Sequence, residues 1–220
     1  MSLPRAFYER AARLVARDLL GCILMSRRGR TVTAGRIVET EAYLGPEDKA
    51  SHAAIRPGSR TLLYGAGGRA YVFVNYGVHY CLNATADRAG RPGCVLIRAL
   101  EPVAGVATMA RRRGTRADAR RLASGPGNLT RALGVSRRDS GADLTRGPLV
   151  ILRPARPRDF TIACGPRIGI TRSVNLPLRF WIDGHAAVSR GSSASVSARG
   201  GAPRDRTARR RAAGSRRQTW

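Results

Sequence analysis

The stretch TVTAGRIVETEAY, Thr31–Tyr43, decides how the rest of the chain is read. It is rich in Thr, Val and Ile, side chains that fit a pleated, half-buried surface, and it reads as a β-strand. Alternate residues of a strand share a face, so Glu39, Glu41 and Tyr43 fall on one side. A carboxylate beside a second carboxylate and an aromatic ring can have a raised pKa, which suits a general base. Two acids on a strand equally suit a solvated face, and their spacing does not choose between Glu39 and Glu41.

On the N-terminal side, residues 3–24 read as one helix. Phe7, Ala11, Leu14, Val15 and Leu19 recur at helical spacing, with Glu9, Arg10, Arg13 and Arg17 on other faces. Gly21 ends it, and Arg28-Gly29-Arg30 makes a turn into the strand. On the C-terminal side, residues 44–68 read mostly as loop, marked by Gly45-Pro46 and Pro57-Gly58. Residues 70–83 form a second strand region, and a turn at 87–93 joins it, as a hairpin, to a short apolar strand at 94–98. A helix is expected within residues 101–123, strongly basic at Arg111-Arg112-Arg113. Residues 149–152, 167–170 and 179–182 look like further short strands, and no internal repeat is present.

Tyr71 and Phe73 share a face by the same period of two. Flat rings offer stacking surfaces to nucleobases, and a protruding ring can act as a wedge between base pairs. An aromatic-lined core strand is the plainer alternative. Aromatic residues make up only 5% of the chain, yet several concentrate here, in a protein of formal net charge +26. Such a charge attracts polyanions, nucleic acid first and an anionic membrane surface second. Nearly all of it is arginine, and a bias in the base composition of the gene produces the same excess. Lys49 is the sole lysine.

The 220 residues suit one compact domain, residues 1–190, followed by a basic tail, 191–220, in which Gly, Ser, Ala and Arg dominate. That tail lacks the apolar surface to offset its ordering entropy and is expected to be disordered. It could hold nonspecific DNA contacts or be dispensable. No apolar run is long enough to span a membrane, and the first residues lack the pattern of a secretory signal; a cytoplasmic location is expected, nucleoid-associated in a bacterium. Cys22, Cys81, Cys94 and Cys164 are scattered without a CxxC pair, and His52, His79 and His185 complete no zinc spacing. No metal and no cofactor is expected.

Several ordered motifs together resemble the alkyladenine (3-methyladenine) DNA glycosylases. They are Arg36-Ile37-Val38-Glu39-Thr40-Glu41-Ala42-Tyr43-Leu44-Gly45-Pro46-Glu47-Asp48 with Ala50-Ser51-His52, then the run 71–83 centred on Tyr76-Gly77. Residues 94–102 (CVLIRALEP), Ser124-Gly125-Pro126, Arg167-Ile168-Gly169 and Pro177-Leu178-Arg179-Phe180 extend the match over roughly residues 3–190. The resemblance implies a mixed α/β (α+β) domain, with a curved antiparallel sheet and packed helices. It implies a monomer acting on double-stranded DNA that contains damaged purines, and no membrane.

By that resemblance Glu41 is the general base, polarising a water that attacks the sugar C1′, and Arg98 helps to hold the water. The backbone carbonyl near Ile168 is a third ligand. Tyr43 and Phe73 sandwich the flipped base; the family's usual residue at the second position is tyrosine. His52 meets the 6-position of the purine, which would suit hypoxanthine as well as alkylated bases. Asn83 screens normal guanine and Leu96 walls the pocket. Tyr76 is the intercalating wedge, with Gly77 beside it on the DNA, and Arg113 is a candidate phosphate contact. Glycosylases that also cut the backbone use an amine to form a Schiff base. Lys49 lies in the Glu47-Asp48-Lys49 loop, not at a recognised catalytic position, and the chain begins Met1-Ser2, so a monofunctional enzyme is expected. Two rivals keep the same motifs: a nonenzymatic nucleic-acid-binding module, and a protein directed to RNA, whose single strands would suit the stacking rings.

Overall fold

Two short helices, α1 (Arg5–Tyr8) and α2 (Ala12–Leu19), lead into the hairpin of β1 (Ile23–Arg28) and β2 (Thr31–Tyr43). A helical segment follows, with α3 (His52–Ile55) and α4 (Arg60–Leu63), and then the strands β3 (Ala70–Asn75), β4 (His79–Ala86) and β5 (Gly93–Ala104). Helices α5 (Val106–Arg113) and α6 (Pro126–Leu133) precede β6 (Leu149–Leu152), β7 (Ile162–Gly165) and β8 (Arg179–Ile182). This computed structural model describes residues 1–75, 77–115, 118–154 and 157–189, so the tail at 191–220 lies outside the described residues.

The architecture is mixed α/β, built on an eight-stranded sheet in which every pairing is antiparallel. β2 is its spine. One edge pairs with β5, while the other pairs first with β1 (31–36) and then with β8 (39–41). The sheet therefore forks. The order β3-β4-β5-β2-β1-β6 forms one path, and β7 and β8 branch from β2. The β2–β5 register shifts between Ile37 and Glu39 and again between Glu39 and Thr40, where β2 changes partner. Such irregularities bend a strand and re-aim its side chains. Helix α2 packs its buried Ala12, Val15, Ala16 and Leu19 against β2 and β5, and α6 packs Leu129, Ala132 and Leu133 against β4 and β5.

The single helix expected over residues 3–24 is two helices and the start of a strand. The chain is pinned at the break: Asp87 accepts from the Ala12 N–H at 3.2 Å, and its own N–H donates to the Arg10 carbonyl at 3.0 Å. A side chain from a distant turn thus satisfies a first-turn donor and starts α2 afresh. Leu14, expected on the apolar stripe, is half exposed. Gly21, at φ 86°, reverses the chain, and Ile23 is already in β1. The strand region 70–83 is likewise two strands, β3 and β4, paired antiparallel from Ala70 with Ala84 to Asn75 with His79. The expected hairpin through residues 87–92 is present as β4–β5. Residues 167–170 are not a strand. Pro166 has no N–H to give a ladder, and Gly169 adopts φ 75°.

Candidate active site

Across four strands, Tyr71, Asn83, Leu96 and Glu41 stand in one cross-strand row. Above this row lies a cavity of about 640 Å³. Of the residues singled out in the sequence, Tyr43, His52, Phe73, Asn83, Leu96, Arg98 and Ile168 all line it. They come from β2, α3, β3, β4, β5 and the loop after β7.

Glu41 is 0% exposed and does not itself line the cavity; it lies beneath, bonded to three residues that do. The Tyr43 hydroxyl donates to Oε2 at 2.9 Å, the Ile168 N–H donates to Oε1 at 2.7 Å, and Arg98 Nη1 is 3.2 Å from Oε1. Burial pushes the Glu41 carboxyl above the usual range, and Glu39 adds to the rise; Arg98, the Ile168 amide and the Tyr43 hydroxyl offset it only in part. A carboxylate offers about four acceptor positions. Two hydrogen bonds, one on each oxygen, and the Arg98 ion pair hold Glu41 among the described residues, so acceptor capacity remains.

Glu39 is different. Its Oε1 accepts from Arg98 Nε (3.1 Å), Arg179 Nε (2.7 Å) and Ser189 Oγ (2.8 Å), and its Oε2 from the Ser189 N–H (2.7 Å). Four donors hold it, three of them on Oε1, and of the residues that donate only Arg98 lines the cavity. The two carboxylates that the sequence pattern left equivalent are thus distinguished by their partners.

The wall at Tyr43 is built from behind. The Arg167 guanidinium lies 4.6 Å from the ring centroid, a cation–π contact. Arg167 is itself locked by a bidentate pair with Asp48, at 2.5 and 2.8 Å, and donates to the Ala42 carbonyl at 3.0 Å. Asp48 also accepts from the N–H groups of Leu44 and Ala50. Burial and the Glu41 charge push the Tyr43 phenol far up, so it remains a hydrogen-bond donor. Elsewhere in the lining, the ring centroid of Phe73 is 4.3 Å from that of His52, and His52 Nδ1 is 2.7 Å from the Tyr71 hydroxyl. Burial and the charge of Arg56 push the His52 imidazole down to about 4, so it is neutral at physiological pH. Asn83 Nδ2 donates to the Tyr71 carbonyl at 3.1 Å.

Ile168 also makes a contact the sequence did not suggest: its N–H holds Glu41. This explains why residues 167–170 leave the sheet, because the amide is directed at a carboxylate instead of a neighbouring strand. Tyr76 lies outside the described residues, and Gly77 beside it is exposed, at φ 72°. Arg113 is not at this cavity. Its Nε donates to the Leu122 carbonyl, and it borders a second depression with His79, Arg112 and Arg131. Lys49, read as a loop residue not at a recognised catalytic position, is exposed and among the residues that line the main cavity.

Sequence reasoning missed Arg167, Arg179, Ser189 and the structural roles of Glu39 and Asp48. Glu39, Asp48, Arg167 and Arg179 stand inside the matching motifs, which was the available signal; Ser189 carried none. Among the described residues, no group of three or more His, Cys, Asp or Glu side chains is placed to hold a metal ion. No helix among them is long and apolar enough to cross a membrane.

The sequence profile of the methylpurine-DNA glycosylases matches residues 6–186. A protein of Methanoculleus marisnigri is 47% identical over 194 residues, which is 86% of this chain and 100% of the relative. One of Koribacter versatilis is 47% identical, over 85% of this chain and 92% of the relative. One of Carboxydothermus hydrogenoformans is 40% identical, over 86% and 100%. All three are named, provisionally, as 3-methyladenine DNA glycosylases. The chain belongs to the methylpurine-DNA glycosylase family.

Proposed function

We propose that the protein is a monofunctional DNA glycosylase of base excision repair that flips alkylated purines, and deaminated ones such as hypoxanthine, out of duplex DNA. It hydrolyses the N-glycosidic bond with an activated water and leaves an abasic site. The observation that carries this reading is Glu41: a fully buried carboxylate with acceptor capacity left, held by three residues that line an aromatic cavity.

In this mechanism Glu41 and Arg98 hold the water against C1′, with the Ile168 carbonyl as a further ligand. The base occupies the slot between Tyr43 and Phe73. Alkylation at N3 or N7 gives the purine a positive charge, which cation–π attraction favours and which makes it a good leaving group. The protein then needs mainly a positioned nucleophile and an environment suited to an oxocarbenium-like sugar. Neutral His52 faces the 6-position of the purine, Asn83 excludes the 2-amino group of guanine, and Leu96 closes the wall. Tyr76, between Asn75 and Gly77, fills the gap in the duplex, and Arg113 with its neighbours contacts phosphates.

The test is incubation of the purified protein with methylated and inosine-containing duplexes, followed by chromatography of the released base. Free 3-methyladenine, 7-methylguanine or hypoxanthine supports the reading; intact duplex contradicts it. Because Lys49 is among the residues that line the cavity, borohydride trapping is the matching test of monofunctionality: a covalent enzyme–DNA adduct overturns that part.

A further inference from the structure

We infer that Glu39 is a positioning residue for this hydrolysis: it clamps the Arg98 guanidinium so that one edge is presented to Glu41, and Ser189 from the C-terminal segment closes the same clamp. The inference rests on the reading above and adds to it.

Arg98 is gripped on three nitrogens. Nε meets Glu39 at 3.1 Å, Nη1 meets Glu41 at 3.2 Å, and Nη2 donates to Ser189 Oγ at 3.3 Å. A planar guanidinium held at three corners cannot turn, and the Nη1 edge that reaches Glu41 is set by the grip on the other two. Glu39 sits where β2 changes partner from β1 to β8, at the register shift, so the strand irregularity directs it to Arg98, Arg179 and Ser189 at once. Ser189 lies 150 residues from Glu39 in the chain, and both its N–H and its hydroxyl bond to that carboxylate. The end of the described chain thus ties directly to the catalytic arginine.

The charges around Glu41 give the clamp a second consequence. The groups packed around it are Arg98 from β5, Glu39 and Tyr43 from β2, and Cys81 from β4. Arg179 of β8 adjoins through Glu39, and Arg167 through Tyr43. Glu39 shares Arg98 with Glu41 and is itself a like charge. Both effects keep the Glu41 carboxyl high. Without Glu39, Arg98 has one carboxylate to serve instead of two, and Glu41 becomes the more acidic group.

The experiment is single-turnover base release from a methylated duplex across pH 5 to 8, with duplex affinity measured alongside. For Glu39→Gln the expected result is at least a tenfold loss of rate at pH 7. The acid limb should move down by about one unit, with affinity within twofold of wild type. A folded variant with wild-type rate and limb overturns the inference, and so does a rate loss with the limb unmoved, since a merely structural role predicts that. If Glu39→Gln does not fold, Ser189 decides: Ser189→Ala should slow release severalfold at unchanged affinity, and Ser189→Thr, which keeps the hydroxyl, should restore it. A wild-type rate for Ser189→Ala overturns the clamp. Failure of the wild type to release any base would instead sink the glycosylase reading itself.

Discussion

The Tyr43 hydroxyl donates to Glu41 Oε2 at 2.9 Å, so the ring that walls the cavity and the buried carboxylate form one unit. Tyr43→Phe removes that donor and keeps the stacking surface. The hydrogen bond pulls the Glu41 carboxyl down, so its loss raises it further. Glu41 must be ionised to act as a base, and activity falls as pH drops through its pKa. The acid limb of single-turnover base release should therefore move up, by about half a unit to one unit, with a severalfold loss of rate at pH 6. Affinity for the alkylated duplex should be unchanged. A limb in its original place would show that this hydrogen bond does not act on the base.

His52 offers a direct check on the electrostatics of the cavity lining. Burial, with Arg56 adding to it, pushes its imidazole down to about 4. A side-chain NMR titration of the three histidines should show His52 neutral at pH 6, with a midpoint near 4. Excision should then show no limb of its own near 6.5. A midpoint at the ordinary histidine value would mean that the pocket is wetter than this packing allows.

The pair behind Tyr43 governs stability. Burial alone would raise the Asp48 carboxyl, but the Arg167 hydrogen bonds and the N–H groups of Leu44 and Ala50 outweigh it and hold the carboxyl below its ordinary value. A carboxyl lowered in the folded state contributes stability above its unfolded pKa, and that contribution is lost as pH falls through the folded pKa. Asp48→Asn leaves Arg167 buried without its counter-ion and should cost about 3–5 kcal/mol in urea unfolding at pH 7. The gap to wild type should narrow at pH 3. A gap of equal size at both pH values would mean that the ion pair is not its source.

What was legible in the sequence follows from how local each feature is. β2 was readable over its full length because its Thr, Val and Ile content is a local signal. The period of two put Glu39, Glu41 and Tyr43 together correctly. It could not say which acid is free to work. That depends on Arg179 and Ser189, 140 and 150 residues beyond Glu39, whose contacts leave no trace in spacing. The break at Arg10–Ala12 was hidden for the same reason: the side chain that imposes it belongs to Asp87. Residues 167–170 looked like a strand because apolar alternation is the same whether an amide serves a ladder or, as at Ile168, a buried carboxylate. The motif resemblance reached the cavity residues, because those stand in contiguous runs. The supports Glu39, Asp48, Arg167 and Arg179 stand in the same runs, but the resemblance attached no role to them, and Ser189 lies outside every run.

The most direct test of the account is single-turnover base release by Glu41→Gln on a duplex carrying one alkylated purine, with binding to the same duplex measured in parallel. The account predicts wild-type affinity with release reduced by at least a thousandfold, because the amide keeps the shape of the side chain but cannot take the proton of the attacking water. Release within tenfold of wild type would contradict it and move the catalytic role away from Glu41.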